Sequence, residues 1–318
     1  MQTKFLQVIV EKVKIETSSV KSFTLVPPRG ERLPGFSAGS HVTTYIENNG
    51  KKLERHYSLA SNPEIPNEYV IGIRKSESSR GGSEAWHECI KEGDRLFISN
   101  PKNHFPLSFR ARKHVFFAAG IGITPFIAMM FDLKKRGIEF ELHYAARSKE
   151  LCPFFPLINE HFPEHSHFYF SELNNRMLPD LMKEQPIGTH VYFCGPELMV
   201  KQFSQRAHAY GYPKANVHFE LFSPPDMGPK TPFHVKLSKS KKEFYVSETE
   251  NLLDVLLDGG VDASYSCRVG GCGSCQLNVK EGVVDHRDQF LSDEEKKTLQ
   301  VILPCVSRAK SKTLVLDI

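Results

Sequence analysis

Cysteine is scarce in this 318-residue chain: there are seven, an odd number, and four of them fall between positions 267 and 305. A secreted disulfide framework is denser and more evenly spread, so that class is excluded. Charge of one sign is lacking too. Lys plus Arg is 41 against 37 Asp plus Glu, a net +4, too mild for a nucleic-acid or anionic-membrane partner. There is no long apolar run. The longest uncharged stretch, Val115 to Phe131, is 17 residues and is broken by Gly120, Gly122 and Pro125; a membrane span needs about 20. Residues Met1 to Val10 lack the basic-then-apolar layout of a signal peptide. These absences point to a cytoplasmic protein with no membrane partner. What is present is ordinary for a globular chain: 40% hydrophobic and 25% charged residues. At about 150 residues per domain the length allows two domains, or three small ones.

Three segments differ in pattern. Residues 1–108 alternate apolar and polar residues in short runs: Phe5–Ile15, Ser22–Val26, His41–Glu47, Tyr57–Ala60, Tyr69–Arg74 and Arg95–Ile98. Turn residues punctuate them, and one helix fits between Ser83 and Lys91. That pattern predicts a closed antiparallel β-barrel. Residues 109–223 alternate strand and helix: His114–Ala119, Pro125–Arg136, Glu139–Ala145, then His190–Cys194, Pro196–Tyr210 and Asn216–Phe222. This predicts an α/β domain built on a parallel sheet. Residues 224–231 lie in a proline-rich stretch that reads as a semi-rigid linker. Residues 232–318 open with strands at Phe233–Lys239 and Glu243–Val246 and a helix at Asn251–Asp258, then carry the cysteine cluster.

The cysteines give the sharpest chemical signal. Cys267, Cys272 and Cys275 follow C-x4-C-x2-C, and 29 residues separate Cys275 from Cys305. That is the spacing of a plant-type [2Fe–2S] site. Gly270, Gly271, Gly273 and Ser274 are small enough to let the loop close so that three thiolates converge. Four cysteines also suit structural zinc, but zinc sites usually come as separated C-x2-C pairs rather than three cysteines in one glycine-rich loop. His161, His165 and His167 lack helical spacing and accompanying acids, so they read as loop residues rather than metal ligands.

Two strand–turn–helix mouths suggest a dinucleotide. Gly120-Ile121-Gly122-Ile123-Thr124-Pro125 follows one strand, and Cys194-Gly195-Pro196 follows another. Backbone N–H groups at a helix start suit a pyrophosphate. A third set suits the phosphate of a flavin. Arg55-His56-Tyr57-Ser58 offers a forked cation, an aromatic ring and a hydroxyl, and Arg80-Gly81-Gly82-Ser83 precedes a helix. Arg147-Ser148-Lys149 follows a strand where the adenosine ribose belongs. Cations there leave NADPH open, since an acid would favour NAD.

Taken in order, these motifs resemble the phthalate dioxygenase reductase family, the group that includes vanillate demethylase and carnitine monooxygenase reductases. The likeness covers essentially the whole chain. It is particularly close in the tail, from Asp285-His286-Arg287-Asp288 through Cys305-Val306-Ser307-Arg308-Ala309-Lys310. The resemblance implies a flavin-binding barrel, a nicotinamide-nucleotide domain and a C-terminal β-grasp ferredoxin domain. It implies FMN, NADH and [2Fe–2S] as cofactors, and a monomer that reduces a Rieske-type terminal oxygenase. A nicotinamide releases two electrons together, a cluster takes one, and a flavin converts between them. A reductase feeding a diiron monooxygenase or a desaturase is the alternative. A redox sensor would need an output module, and the three segments use up the whole length.

By the same resemblance, Arg55, Tyr57 and Ser58 match the flavin strand, with Ser58 near the reactive flavin nitrogen. Ile73 and Arg74 match the strand beside the flavin edge, and Gly81, Gly82 and Ser83 the phosphate turn. Gly120, Gly122 and Thr124 match the nucleotide turn. Cys194, Gly195 and Pro196 match the second turn, with Cys194 near the nicotinamide. Phe222 matches an aromatic that covers the flavin where nicotinamide enters.

Overall fold

The computed structural model describes residues 5–48, 50–77, 81–224 and 226–318. Arg80 of the predicted phosphate turn and Pro225 of the predicted linker lie outside them. Alternating apolar residues build the first sheet from β1 (Leu6–Thr17), β2 (Val20–Val26), β3 (Ser40–Asn48), β4 (Lys51–Ser58), β5 (Tyr69–Arg74), β6 (Arg95–Ile98) and the short β7 (Lys102–Asn103). Its strands run in the order β4-β3-β6-β1-β2-β5, and β7 pairs with β3. All these pairings are antiparallel. Just past β4, a bridge from Leu59 to Ile71 closes the order on itself. The Ala60 N–H, which donates to the Val70 carbonyl at 2.7 Å, reinforces it. The result is the expected barrel. β4 begins at Lys51 rather than Tyr57, as its pairing with β3 from Asn48↔Lys51 to His41↔Ser58 shows. Charged residues hid that half of the strand. α1 (Gly82–Glu88) drives Trp86, fully buried, edge-on against Phe23 with ring centroids 4.7 Å apart.

The second sheet comprises β8 (Lys113–Ala119), β9 (Glu139–Ala146), β10 (Ser166–Phe170), β11 (Thr189–Cys194) and β12 (Val217–Glu220), all parallel in the order β10-β9-β8-β11-β12. Its helices are α2 (Thr124–Arg136), α3 (Phe155–His161) and α4 (Glu197–Ala209). α2 starts with Pro125, whose missing N–H costs nothing there, and stops at Gly137 with φ 64°. α3 and β10 were not expected from the sequence. The strand order reverses between β8 and β11, the place where open α/β sheets bind ligands. Barrel and sheet lie in one compact unit that runs to Glu220. A single buried cluster contains Ala38, Ala60 and Phe105 together with Phe116, Phe126 and Tyr192.

The second compact unit is Leu221–Ile318. It holds β13 (Phe233–Leu237), β14 (Glu243–Val246), α5 (Leu252–Asp258), β15 (Leu277–Glu281), β16 (Val284–Asp285), α6 (Glu295–Thr298), β17 (Val301–Ile302), β18 (Arg308–Ala309) and β19 (Thr313–Leu316). A mixed sheet in the order β14-β13-β19-β15-β17 packs against α5 through Leu252 and Leu256, and β16 pairs with β18. Asn251 caps α5, its Oδ1 accepting the Asp254 N–H at 2.8 Å. Among the described residues no helix is long and apolar enough to cross a membrane.

Candidate flavin, nucleotide and iron–sulfur sites

The predicted phosphate set converges on the barrel. Arg55 on β4 lies directly over the start of α1. A Cβ placed on Gly82 would sit 2.4 Å from the Arg55 Nε, so any other residue there would displace the Arg55 side chain. Gly81 precedes the helix at φ 85°, a conformation that L side chains rarely adopt. The Ser83 Oγ accepts the Ser76 N–H at 3.1 Å, which holds the hydroxyl at the helix start. A cation, backbone amides and a hydroxyl thus meet in one cradle that fits the phosphate of FMN. Tyr57 joins the barrel interior edge-on to Trp86 at 6.0 Å, and burial raises its phenol.

Other expected flavin residues divide. Ile73 is 1% exposed and its side chain belongs to the barrel core, so only its backbone can face a cofactor. Its carbonyl lies 2.9 Å from the His87 Nε2. Arg74 is exposed. His56 turns its ring to the Thr43 hydroxyl, 3.0 Å from Nδ1, and stands beside His41. Strand alternation puts that face opposite Arg55 and Tyr57.

Ser58, Cys194 and Glu220 form a second cluster. The Ser58 Oγ donates to the Glu220 Oε2 at 3.4 Å, and Glu220 is the register partner of Cys194 on the neighbouring strand. Burial pushes the Glu220 carboxyl up to about 8, against the hydrogen bond from Ser58 that lowers it. At neutral pH the group therefore carries its proton. Cys194 is fully buried, and burial, then Glu220, lift its thiol well above the usual range. Glu220 escaped the sequence reading, which weighed only the aromatic two residues on. Its visible signal was an acid at the end of the last sheet strand. Phe222 follows β12 and is 46% exposed.

The two nucleotide turns touch. A Cβ on Gly122 would lie 2.2 Å from the Cys194 carbonyl oxygen and 2.7 Å from the Gly195 nitrogen. Gly122 is thus glycine so that neighbouring strand ends can close, a reason different from ligand approach. Gly120 takes φ 53° with open space around it, and the Tyr144 hydroxyl reaches its carbonyl at 2.8 Å. The Thr124 Oγ1 donates to the Ile121 carbonyl at 3.1 Å, fixing the turn as it enters α2.

Arg147 is exposed at the end of β9, and its carbonyl accepts the Glu172 N–H at 3.1 Å. The backbone just after β10, at Glu172, is thus tied to the end of β9. It was missed because β10 itself was missed.

The four cluster cysteines form two close pairs. The Cys267 N–H points at the Cys272 Sγ at 3.5 Å, and the Cys275 and Cys305 sulfurs are 3.3 Å apart. Cys267 is raised and Cys272 lowered to about 4, each chiefly by the bond between them. Cys305 is raised and Cys275 lowered in the same way. Among the described residues no three potential ligands surround one metal-ion position. Pairs of thiols suit a two-iron cluster, with two thiolates for each iron, better than one tetrahedral ion. Gly270 at φ 77° and Gly273 at φ 72° shape the loop, and the Phe290 ring covers Gly273 so closely that a Cβ would lie 2.4 Å from it.

Comparison with known proteins agrees with this layout. The family described as 2Fe-2S iron-sulfur cluster binding domain matches residues 235–310. The carnitine monooxygenase reductase subunit of Escherichia coli is 40% identical over 99% of both chains. The vanillate O-demethylase oxidoreductase of Acinetobacter baylyi is 37% identical over 98% of this chain and 99% of its own. A solved structure of phthalate dioxygenase reductase, described as modular for electron transfer from pyridine nucleotides to [2Fe–2S], superposes with a TM-score of 0.79. It is 34% identical and covers 99% of this chain and 98% of its own. The chain belongs to the phthalate dioxygenase reductase family of iron–sulfur flavoprotein oxidoreductases.

Proposed function

We propose that this protein is the NADH-dependent, FMN-containing reductase component of a Rieske-type oxygenase, acting as a cytoplasmic monomer. The observation that carries the reading is the single-chain order of phosphate cradle, paired nucleotide turns and paired cluster thiols. Bound FMN would take two electrons together and release them singly, and the cluster would accept one at a time. The chain's residues supply the setting. Residues 1–108 hold the flavin, with Arg55, Gly81, Gly82 and Ser83 binding its phosphate and Tyr57 with Ser58 positioning its ring. Residues 109–223 bind the nucleotide. Gly120, Gly122, Thr124, Gly195 and Pro196 shape its seat, and Cys194 lies near the nicotinamide. Phe222 shields the flavin until nicotinamide arrives. The family likeness supports NADH, while the cations Arg147 and Lys149 keep NADPH as the alternative, since an acid at the ribose would favour NAD. Cys267, Cys272, Cys275 and Cys305 of residues 232–318 hold the irons.

Two measurements test this. Flavin released by heat is run by chromatography, and FAD as the sole species would overturn FMN. The oxygenase encoded beside this gene is then purified and its reduction by NADH followed through this protein. A diiron or haem centre as the first acceptor there would overturn the Rieske assignment.

A further inference from the structure

The Gly120–Pro125 turn is held from within by a residue of the neighbouring strand. Tyr144 on β9 is fully buried. Its hydroxyl lies 2.8 Å from the Gly120 carbonyl and 3.0 Å from the Pro153 carbonyl. A phenol has one proton, so the two carbonyls share it. A carbonyl bonded to a fully buried hydroxyl points inward. The peptide that follows Gly120 is trans, and a trans peptide aims its N–H opposite to its C=O. The Ile121 N–H therefore faces the outer side of the turn, where open space surrounds Gly120. Glycine does little to hold that plane by itself, because without a Cβ it tolerates many backbone conformations. The Tyr144 proton supplies the restraint that residue 120 lacks.

The second acceptor of the phenol is tied to the barrel. Phe154, next to Pro153, takes φ 59°, uncommon for a residue other than glycine, and its N–H donates to the Glu16 Oε2 at 3.2 Å. The Glu16 side chain is 3% exposed, and the Lys14 Nζ at 3.1 Å balances its charge. Its Oε1 also accepts the Ser22 hydroxyl at 2.8 Å. A buried carboxylate on β1 thus fixes the loop that meets Tyr144. Barrel and turn touch again at Gly72 on β5, where a Cβ would lie 2.8 Å from the Thr124 Cγ2 and 2.9 Å from the Phe154 ring.

We propose that Tyr144, braced by Glu16, is a positioning residue for dinucleotide binding: it keeps the Gly120 carbonyl turned inward, so that the Ile121 N–H meets the pyrophosphate. Without the phenol proton the Gly120–Ile121 peptide can rotate and set a carbonyl dipole against the phosphate charge. The inward carbonyl is read from the structure alone, while the pyrophosphate rests on the function proposed above.

The test uses oxidised full-length holoprotein and NAD+, a pair between which no electrons pass. Tyr144→Phe keeps the buried ring and removes only the hydroxyl. NAD+ affinity by calorimetry should fall about tenfold, the effect of leaving one buried carbonyl unpaired. Amide hydrogen exchange across residues 120–124, read by mass spectrometry, should quicken. Flavin content and cluster absorbance should match the parent's. A lower melting temperature with parental NAD+ affinity would mean that Tyr144 only fills the core, and overturns the positioning role. If Tyr144→Phe does not fold, Glu16→Gln decides: weaker NAD+ binding supports the brace, and parental affinity overturns it. A parent that neither binds NAD+ nor bleaches with NADH would instead sink the functional reading, and exchange in the variant would still decide the inward hold on Gly120.

Discussion

Two glycines in one turn should respond very differently to the same substitution. Gly122→Ala places a Cβ 2.2 Å from the Cys194 carbonyl oxygen, 2.4 Å from its carbon and 2.7 Å from the Gly195 nitrogen. These are backbone atoms at the end of a strand hydrogen-bonded to its neighbour, so no flexible side chain can swing away. An ordinary non-bonded contact is about 3.5 Å, and the turns must part by roughly 1 Å. Overpacking of this kind costs about 1–3 kcal/mol. A displacement of about 1 Å in a reacting geometry slows it by on the order of 100-fold. Gly120→Ala meets open space and carries only the strain of φ 53°, about 1–2 kcal/mol in the left-handed region. In stopped-flow flavin bleaching by NADH, Gly122→Ala should be slower by on the order of 100-fold. Gly120→Ala should lose much less. Flavin content and cluster absorbance should match the parent in both. Equal losses, or a larger loss for Gly120→Ala, would refute the argument that contact between the turns is what requires Gly122.

Further outcomes follow from the other sites. Because the folded protein holds the Glu220 proton up to about 8 while an ordinary carboxyl loses it at 4.5, the unfolded chain binds fewer protons between those values. Stability therefore falls as pH rises through that window. Glu220→Gln should match the parent's melting temperature near about pH 5 and exceed it near about pH 9; parallel pH profiles would count against a buried neutral carboxyl. Arg55→Gln removes a charge-assisted contact of about 1.5–3 kcal/mol. Its flavin should dissociate at about 10- to 100-fold higher concentration by fluorescence titration, with cluster absorbance unchanged. Cys305→Ser should abolish cluster absorbance and NADH–cytochrome c activity yet spare NADH–ferricyanide activity. A full cytochrome c rate would mean that electrons leave without the cluster.

Legibility in the sequence followed how local each constraint was. The C-x4-C-x2-C loop and the Gly120–Pro125 turn are each set by a few adjacent residues, and both could be read. The barrel was legible because its strands alternate, except in β4, where Lys51, Lys52, Glu54 and Arg55 mask the period. β10 was overlooked because five residues rich in aromatics, between loops, do not separate strand from core loop. The short β15 to β19 are defined by partners far along the chain, not by their own pattern. The reason for Gly122 was invisible for a similar cause: its neighbour, Cys194, lies on another strand. What Arg287 and Arg308 hold was invisible too, because the carbonyls they meet lie about 60 to 80 residues away in sequence.

The barrel's seam has a consequence for the nascent chain. β1 pairs with β2 a few residues later, but its other edge waits for β6, Leu6 for Ile98. At about 5–20 residues per second, that edge stays unpaired for roughly 5–18 s while the ribosome works. An open, apolar strand edge invites pairing with a neighbouring chain. β1 reads LQVIVEKVKIET, with Glu11, Lys12, Lys14 and Glu16 breaking its apolar run. Charges inside such a run act as gatekeepers against aggregation. They guard the strand during the seconds before the barrel exists.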